Sequence, residues 1–154
     1  MRIQPLCDRR ELVAELARYH FKEWGPLRPG ETLEQRTARL QAVCGRSGVP
    51  SAFVATEGSR LLGSALLIPF DMESRKDLTP WVAGVFVVPE ARRRGIGSAL
   101  VNHVTDQARA SGIPAVYLYT DKSENFYARL GWTAIDRCTE KGLSVVVMSR
   151  ALAA

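Results

Sequence analysis

The 154-residue sequence is poor in the two residue types that most often build metal or disulfide sites, with three cysteines and two histidines. Cys7, Cys44 and Cys138 are an odd number without close spacing, which argues against a disulfide framework or a CxxC metal site and leaves reduced, buried thiols as the expectation. His20 and His103 stand far apart with no partner at ligand spacing, so they read as packing or surface residues, and no metal is expected. Long apolar runs are missing too. The longest, Leu61–Phe70 and Trp81–Pro89, are about ten residues each, well short of the roughly 18 that suggest a membrane-spanning helix. The opening residues, MRIQPLCDRR, have no apolar core of the kind a secretory signal needs, so the chain is read as cytoplasmic. No internal repeat, low-complexity tract or long polar linker interrupts it.

Apolar residues make up 46% of the chain and charged residues 24%, the mix of a globular protein, and the length suits a single domain over residues 1–154. The formal charge of +5 implies affinity for anions, either nucleic acid or a phosphate-bearing cofactor. Only Arg92-Arg93-Arg94 forms a tight basic cluster, and no nucleic-acid module accompanies it.

Along the chain, Arg2–Pro5 reads as a short strand, and Asp8 as the N-cap of a helix whose Leu12, Leu16 and Tyr19 recur at helical spacing. Trp24–Gly30 is a turn-rich break. Thr32 caps a second helix running towards Cys44, with Gln35 at the capping-box position. Ser51–Thr56 and Leu61–Phe70 read as a hairpin turning at Glu57-Gly58-Ser59, and Asp71–Thr79 as a loop. Trp81–Val88 is aromatic and β-branched between two prolines, which predicts a buried strand. Ile96, Leu100, Val104 and Ala108 mark one face of a helix that Gly112 ends. The remainder reads as a strand at Pro114–Tyr119, a short helix at Glu124–Leu130, and strands at Trp132–Asp136 and Leu143–Ser149, with Cys138 in a turn. This order predicts one α/β (α+β) domain, a mixed central sheet of about six to seven strands with helices on both faces.

The segment from Val85 to Ser98 carries the chemistry. A buried strand ends at Pro89, a basic turn with Gly95 and Gly97 follows, and an amphipathic helix begins inside it. First-turn N–H groups of a helix lack internal partners and the helix dipole is positive there. Glycines let a ligand approach the backbone and arginines add charge, so the turn is fitted to a pyrophosphate. A dinucleotide fingerprint needs glycine at position 100, which is Leu100, and no P-loop run is present.

Arg92-x-x-Gly95-x-Gly97, preceded by Val85-x-Val87 and Pro89, resembles the acetyl-CoA motif of the GNAT superfamily of N-acetyltransferases. Phe126-Tyr127-Ala-Arg-Leu-Gly131-Trp132 resembles the second motif of that family, so the likeness spans Trp81–Asp136. The resemblance implies that acetyl-CoA is the co-substrate and an amine the acceptor, with no membrane or nucleic-acid partner and a homodimer left open. Cofactor-binding roles fall on Val85, Phe86, Val87, Arg92, Arg93, Arg94, Gly95, Ile96, Gly97, Ser98, Asn125 and Tyr127. The main chain of Val85–Val87 would meet the pantetheine arm, the Val87 N–H would serve the thioester carbonyl as negative charge develops there, and the amides of residues 93–98 would hold the pyrophosphate. Tyr127 would protonate the departing thiolate.

The sequence departs from the family at two places. Thr120 stands where many relatives carry an asparagine, with Asn125 as a substitute out of register, and strand Trp81–Val88 contains no acid to act as general base. Asp71, Glu73 or Asp77 in the preceding loop, or waters and carbonyls, would then deprotonate the amine. Trp24, Arg28, Arg36, Arg39 and the Asp71–Asp77 loop are the expected acceptor-side residues. A small amine, an amino acid and a protein N-terminus are all open. The alternative to an enzyme is a GNAT-like module that binds acyl-CoA without turnover.

Overall fold

The computed structural model describes residues 1–152, so the expected 1–154 domain includes two residues outside the described part. Runs that alternate or are continuously apolar form the strands β1 (Arg2–Pro5), β2 (Ser51–Glu57), β3 (Arg60–Ile68), β4 (Trp81–Val87), β5 (Ala115–Thr120), β6 (Thr133–Glu140) and β7 (Leu143–Ala151). Segments of period 3.6 form the helices α1 (Val13–Trp24), α2 (Leu33–Ala42), α3 (Ile96–Ala110) and α4 (Glu124–Arg129). The seven strands make one mixed sheet in the order β1-β2-β3-β4-β5-β7-β6. Every neighbouring pair is antiparallel except β4 and β5, which α3 joins by a parallel crossover.

Alternation along the strands divides the core between the two faces. From β2, Phe53 and Ala55 join Leu100, Val104 and Ala108 of α3 on one face. Ala52 and Val54 join Leu16, Ala17 and Leu40 of α1 and α2 on the other. That second face also carries Trp81, Met72, Val145 and Val147, which pin the 69–79 loop over β4, β5 and β7. The ion pair Arg75–Asp136, at 2.8 Å, ties the same loop to β6.

The capping box expected at the start of α2 is present. Thr32 caps α2 and its hydroxyl accepts from the Gln35 N–H at 3.1 Å, while the Gln35 side chain accepts from the Thr32 N–H at 2.9 Å. Thr32→Ala breaks both halves and is expected to cost about 1 kcal/mol, seen as a fall of about 2–4 °C in Tm by calorimetry. Asp8 is a correction. It does not cap α1, whose N-cap is Leu12 with no side-chain bond; Asp8 ends one 3-10 turn, a second (Arg10–Leu12) separates it from α1, and its carboxylate pairs with Arg46. Cys138 is also a correction, because it lies within β6 rather than in a turn, and all three thiols are half-buried rather than buried. Glu57 belongs to β2, so the hairpin turn is Gly58-Ser59.

Candidate functional site

The site begins with one extra residue in β4. Between Ser64↔Phe86 and Leu66↔Ala83 the register gains a residue on the β4 side, and Gly84 takes φ +57 there. This is a β-bulge with glycine in the left-handed region, a device that bends a strand and raises its twist. A Cβ at Gly84 would meet Leu66 Cδ1 at 2.8 Å, so no larger residue fits without movement. The bend carries β4 away from β5. The two strands share one ladder position, Trp81↔Tyr117, and diverge beyond it. Val88 donates its N–H to the Leu62 carbonyl at 2.8 Å, towards β3. Successive strand residues alternate, so the main-chain groups of Val87 and Val85 face the opening, and those of Phe86 face Ser64 across the β3 ladder.

The second component is the turn into α3. Arg93 has φ +66 and Gly95 φ +77, two left-handed residues separated by one. Such alternation turns successive N–H groups to one side, which makes an anion-binding concavity. For Gly95 this conformation is free of penalty, whereas for Arg93 it costs about 1–2 kcal/mol. Gly95 is the N-cap of α3, no side chain caps that end, and no acid lies in its first turn. The first N–H groups of a 15-residue helix are thus left for a ligand.

The three arginines of the cluster separate. Arg92 folds back on β4, its Nε donating to the Val87 carbonyl at 3.1 Å and its guanidinium lying 5.9 Å from the Phe86 ring centroid. Arg93 stays at the cleft. Arg94 turns away to pair with Glu57 of β2 at 2.9 Å. They do not form one contiguous basic face.

Bulge and turn together enclose a cleft of about 370 Å³. Ten of the expected residues line it, namely Val85, Phe86, Val87, Arg92, Arg93, Gly95, Ile96, Gly97, Ser98 and Tyr127. Arg94 and Asn125 do not, and Asn125 is exposed on α4. Glu23, Ala91 and Ser123 line the cleft without having been singled out. Ser123 had a signal in the sequence, since Thr120 at the position of the family asparagine accepts the Ser123 N–H at 3.0 Å and fixes the turn into α4. No cysteine lines the cleft, which leaves no thiol placed for an acyl-enzyme route.

Tyr127 is 8% exposed, held by T-shaped contacts with Phe126 and Trp132 at centroid separations of 5.0 and 6.1 Å. Burial pushes its pKa up to about 12, so the phenol remains protonated at neutral pH.

On the opposite sheet face the three candidate acids of the 69–79 loop differ. Glu73 is exposed and paired with Lys76 at 3.0 Å, and Asp77 is exposed and paired with Arg75 at 3.1 Å. Asp71 is half-buried beside Lys141 of the β6–β7 turn and Arg28 of the α1–α2 connection. Burial pushes its carboxyl up to about 6, with those cations opposing the rise. Arg36 and Arg39, also expected on this side, share the Glu31 carboxylate at 2.7 Å each.

The sequence matches the Acetyltransferase (GNAT) family over residues 10–132. The chain belongs to the GNAT acetyltransferase family. It is accordingly an acyltransferase with acetyl-CoA as co-substrate. Solved structures similar to it include an aminoglycoside 6'-N-acetyltransferase complexed with coenzyme A, with a TM-score of 0.77 at 16% identity over 100% of this chain and 98% of that one. An N-acetyltransferase from Staphylococcus aureus Mu50 has a TM-score of 0.71 at 20% identity over 94% of both chains. The ribosomal-protein-S18-alanine N-acetyltransferase from Escherichia coli has a TM-score of 0.59 at 18% identity over 77% of each. At these identities the likeness speaks for the fold. No protein of curated function matches the sequence.

Proposed function

We propose that this chain acetylates a primary amine by direct attack within a ternary complex, with Tyr127 as the acid and Asp71 as the base. The observation that carries this reading is a single cleft holding both an uncapped helix N-terminus behind two left-handed residues and a buried, protonated phenol. The cradle fits a pyrophosphate in conformation and charge, having no acid in the first turn of α3. Acetyl-CoA supplies the activated acetyl thioester. The amides of Arg93 to Ser98 hold its phosphates, and the main chain of Val85 and Val87 fixes the arm that carries the thioester. The Val87 N–H is the donor for the carbonyl oxygen as negative charge grows on it. Asp71, with a pKa of about 6, accepts the proton released by the acceptor amine. The Tyr127 hydroxyl gives its proton to sulfur as the carbon–sulfur bond breaks. The three free thiols suit a reducing compartment, in keeping with a cytoplasmic site of action.

Two measurements test the reading. Saturating acetyl-CoA should raise Tm by several degrees, and free CoA should be released with one or more members of a panel of amino acids, peptides, polyamines and aminoglycosides. No shift in Tm removes the binding site, and a shift without CoA release on the whole panel removes the turnover.

The cradle can be probed separately. Gly95 has nothing within 4 Å of an added Cβ, so Gly95→Ala acts only through its positive φ. Its expected effect is acetyl-CoA binding weakened about tenfold, the equivalent of about 1.4 kcal/mol. Unchanged affinity by calorimetric titration would show that the left-handed turn is not the phosphate site.

A further inference from the structure

A buried polar chain lies behind β4, on the side away from the cleft. His20 of α1 is 3% exposed, and its Nε2 is 2.9 Å from the hydroxyl of Ser64, a fully buried residue of β3. Ser64 donates its one proton to the Gly84 carbonyl at 2.7 Å. Its oxygen therefore accepts from His20, which fixes the Nε2–H tautomer of the imidazole. Edge contacts with Trp24 at 4.9 Å and Phe86 at 6.1 Å hold the ring. A Cβ on Gly84 would come within 3.4 Å of His20 Cε1, so the imidazole sits directly against the bulge. Burial, and after it the charges of Arg36 and Arg39, hold His20 neutral, so the donor role is constant across the working pH range.

At a bulge the extra residue drops out of the ladder, and its carbonyl must find another partner or go unsatisfied. Here that partner is a side chain held by a second side chain from a different element. We propose that His20 and Ser64 are positioning residues for catalysis: through the Gly84 carbonyl they set how far β4 bends, and so the direction in which Val85 and Val87 present their amides to the cleft. The inference rests on the proposed use of those amides. It adds that α1, which contributes Glu23 to the cleft edge, also acts from behind the strand. The phosphate cradle at 93–98 is built on a different segment and does not depend on this chain of bonds.

Ser64→Ala removes the link with a small change in volume. Turnover per acetyl-CoA-binding site is expected to fall about tenfold to a hundredfold, the scale associated with displacement by about 1 Å, while the Kd for CoA rises by less than about tenfold, because the arm loses its contacts at 85–87 and the cradle is intact. His20→Leu should give a similar loss. His20→Gln, which keeps an N–H donor near the Nε2 position, should recover most of the activity. The double variant Ser64→Ala with His20→Leu should be no worse than the weaker single variant, since both cut one chain. Amide hydrogen exchange supplies a readout independent of turnover. In the wild type, acetyl-CoA should slow exchange over both 85–87 and 93–98. In Ser64→Ala the slowing should persist at 93–98 and be lost at 85–87. Unchanged kcat with unchanged protection at 85–87 overturns the proposal, as does equal loss at both segments. If the wild type shows ligand protection but no turnover with any amine, the proposed function falls while the exchange comparison still decides this inference.

Discussion

Asp71→Asn is expected to lower kcat about a hundredfold, to abolish the acid limb of the kcat/KM profile near pH 6, and to make the protein more stable at pH 8. The three effects share one cause. Burial raises the folded-state pKa of this carboxyl from 3.8 to about 6. A carboxyl with a raised folded pKa contributes fully to stability below its unfolded value and loses that contribution as pH rises through the folded one. At pH 8 the ionised group therefore costs on the order of 2 kcal/mol, after allowance for its partial exposure. Asparagine has nearly the same shape and no charge, so Tm at pH 8 should rise by about 4–8 °C, with little change at pH 4. Lys141 and Arg28 oppose the effect of burial, and the value of about 6 already includes their attraction. A retained acid limb would take Asp71 out of the proton-accepting role. A lower Tm at pH 8 would mean that the carboxylate is better satisfied than its burial implies.

Tyr127→Phe should reduce kcat about a hundredfold or more and leave the Kd for acetyl-CoA within about twofold. The asymmetry follows from how the ring is held. Phe126 and Trp132 grip its edge and face, and phenylalanine keeps those contacts, so neither α4 nor the cleft is expected to move. Only the proton is lost. With the phenol pushed to about 12 by burial, the wild type should show no basic limb from this residue below about pH 11. Steady-state kinetics beside calorimetric titration separate the two parameters. Equal turnover in the variant would assign protonation of the thiolate to solvent.

How much of this was legible in the sequence depends on the range of the interactions involved. The Thr32–Gln35 capping box was readable because four adjacent residues satisfy one another. The strand–turn–helix around Arg92–Ser98 was readable because Pro89, Gly95 and Gly97 break the apolar pattern within a few residues. The left-handed conformation of Arg93 was not, since arginine carries no local preference for it. The bulge at Gly84 was hidden inside what read as one uninterrupted strand. An extra residue exists only relative to a partner strand, and the pairing of β4 with β3 is a tertiary fact. The same applies to the acids. Asp71, Glu73 and Asp77 look alike in sequence, and what separates them is that Lys76 and Arg75 reach two of them while the fold desolvates the third. Asn125 lies outside the cleft through helical phase: its neighbours Phe126 and Tyr127 line it, and the asparagine is exposed.

The single rung between β4 and β5 has a mechanical consequence. Among the described residues, Tyr117 and Trp81, with the Tyr117 N–H bonded to the Pro80 carbonyl at 3.1 Å, form the only main-chain seam that the ladder places between a panel of four strands and a panel of three. Elsewhere the panels are joined by side chains, chiefly Val116, Leu118 and Met148 packed with Leu100 and Val104 under α3. Side-chain packing tolerates small rotations that a hydrogen-bonded ladder resists. The sheet is thus a pair of leaves with one stitch at the spine, and an extended molecule with its own amides that entered between them would complete the hydrogen bonding of an unfinished strand edge.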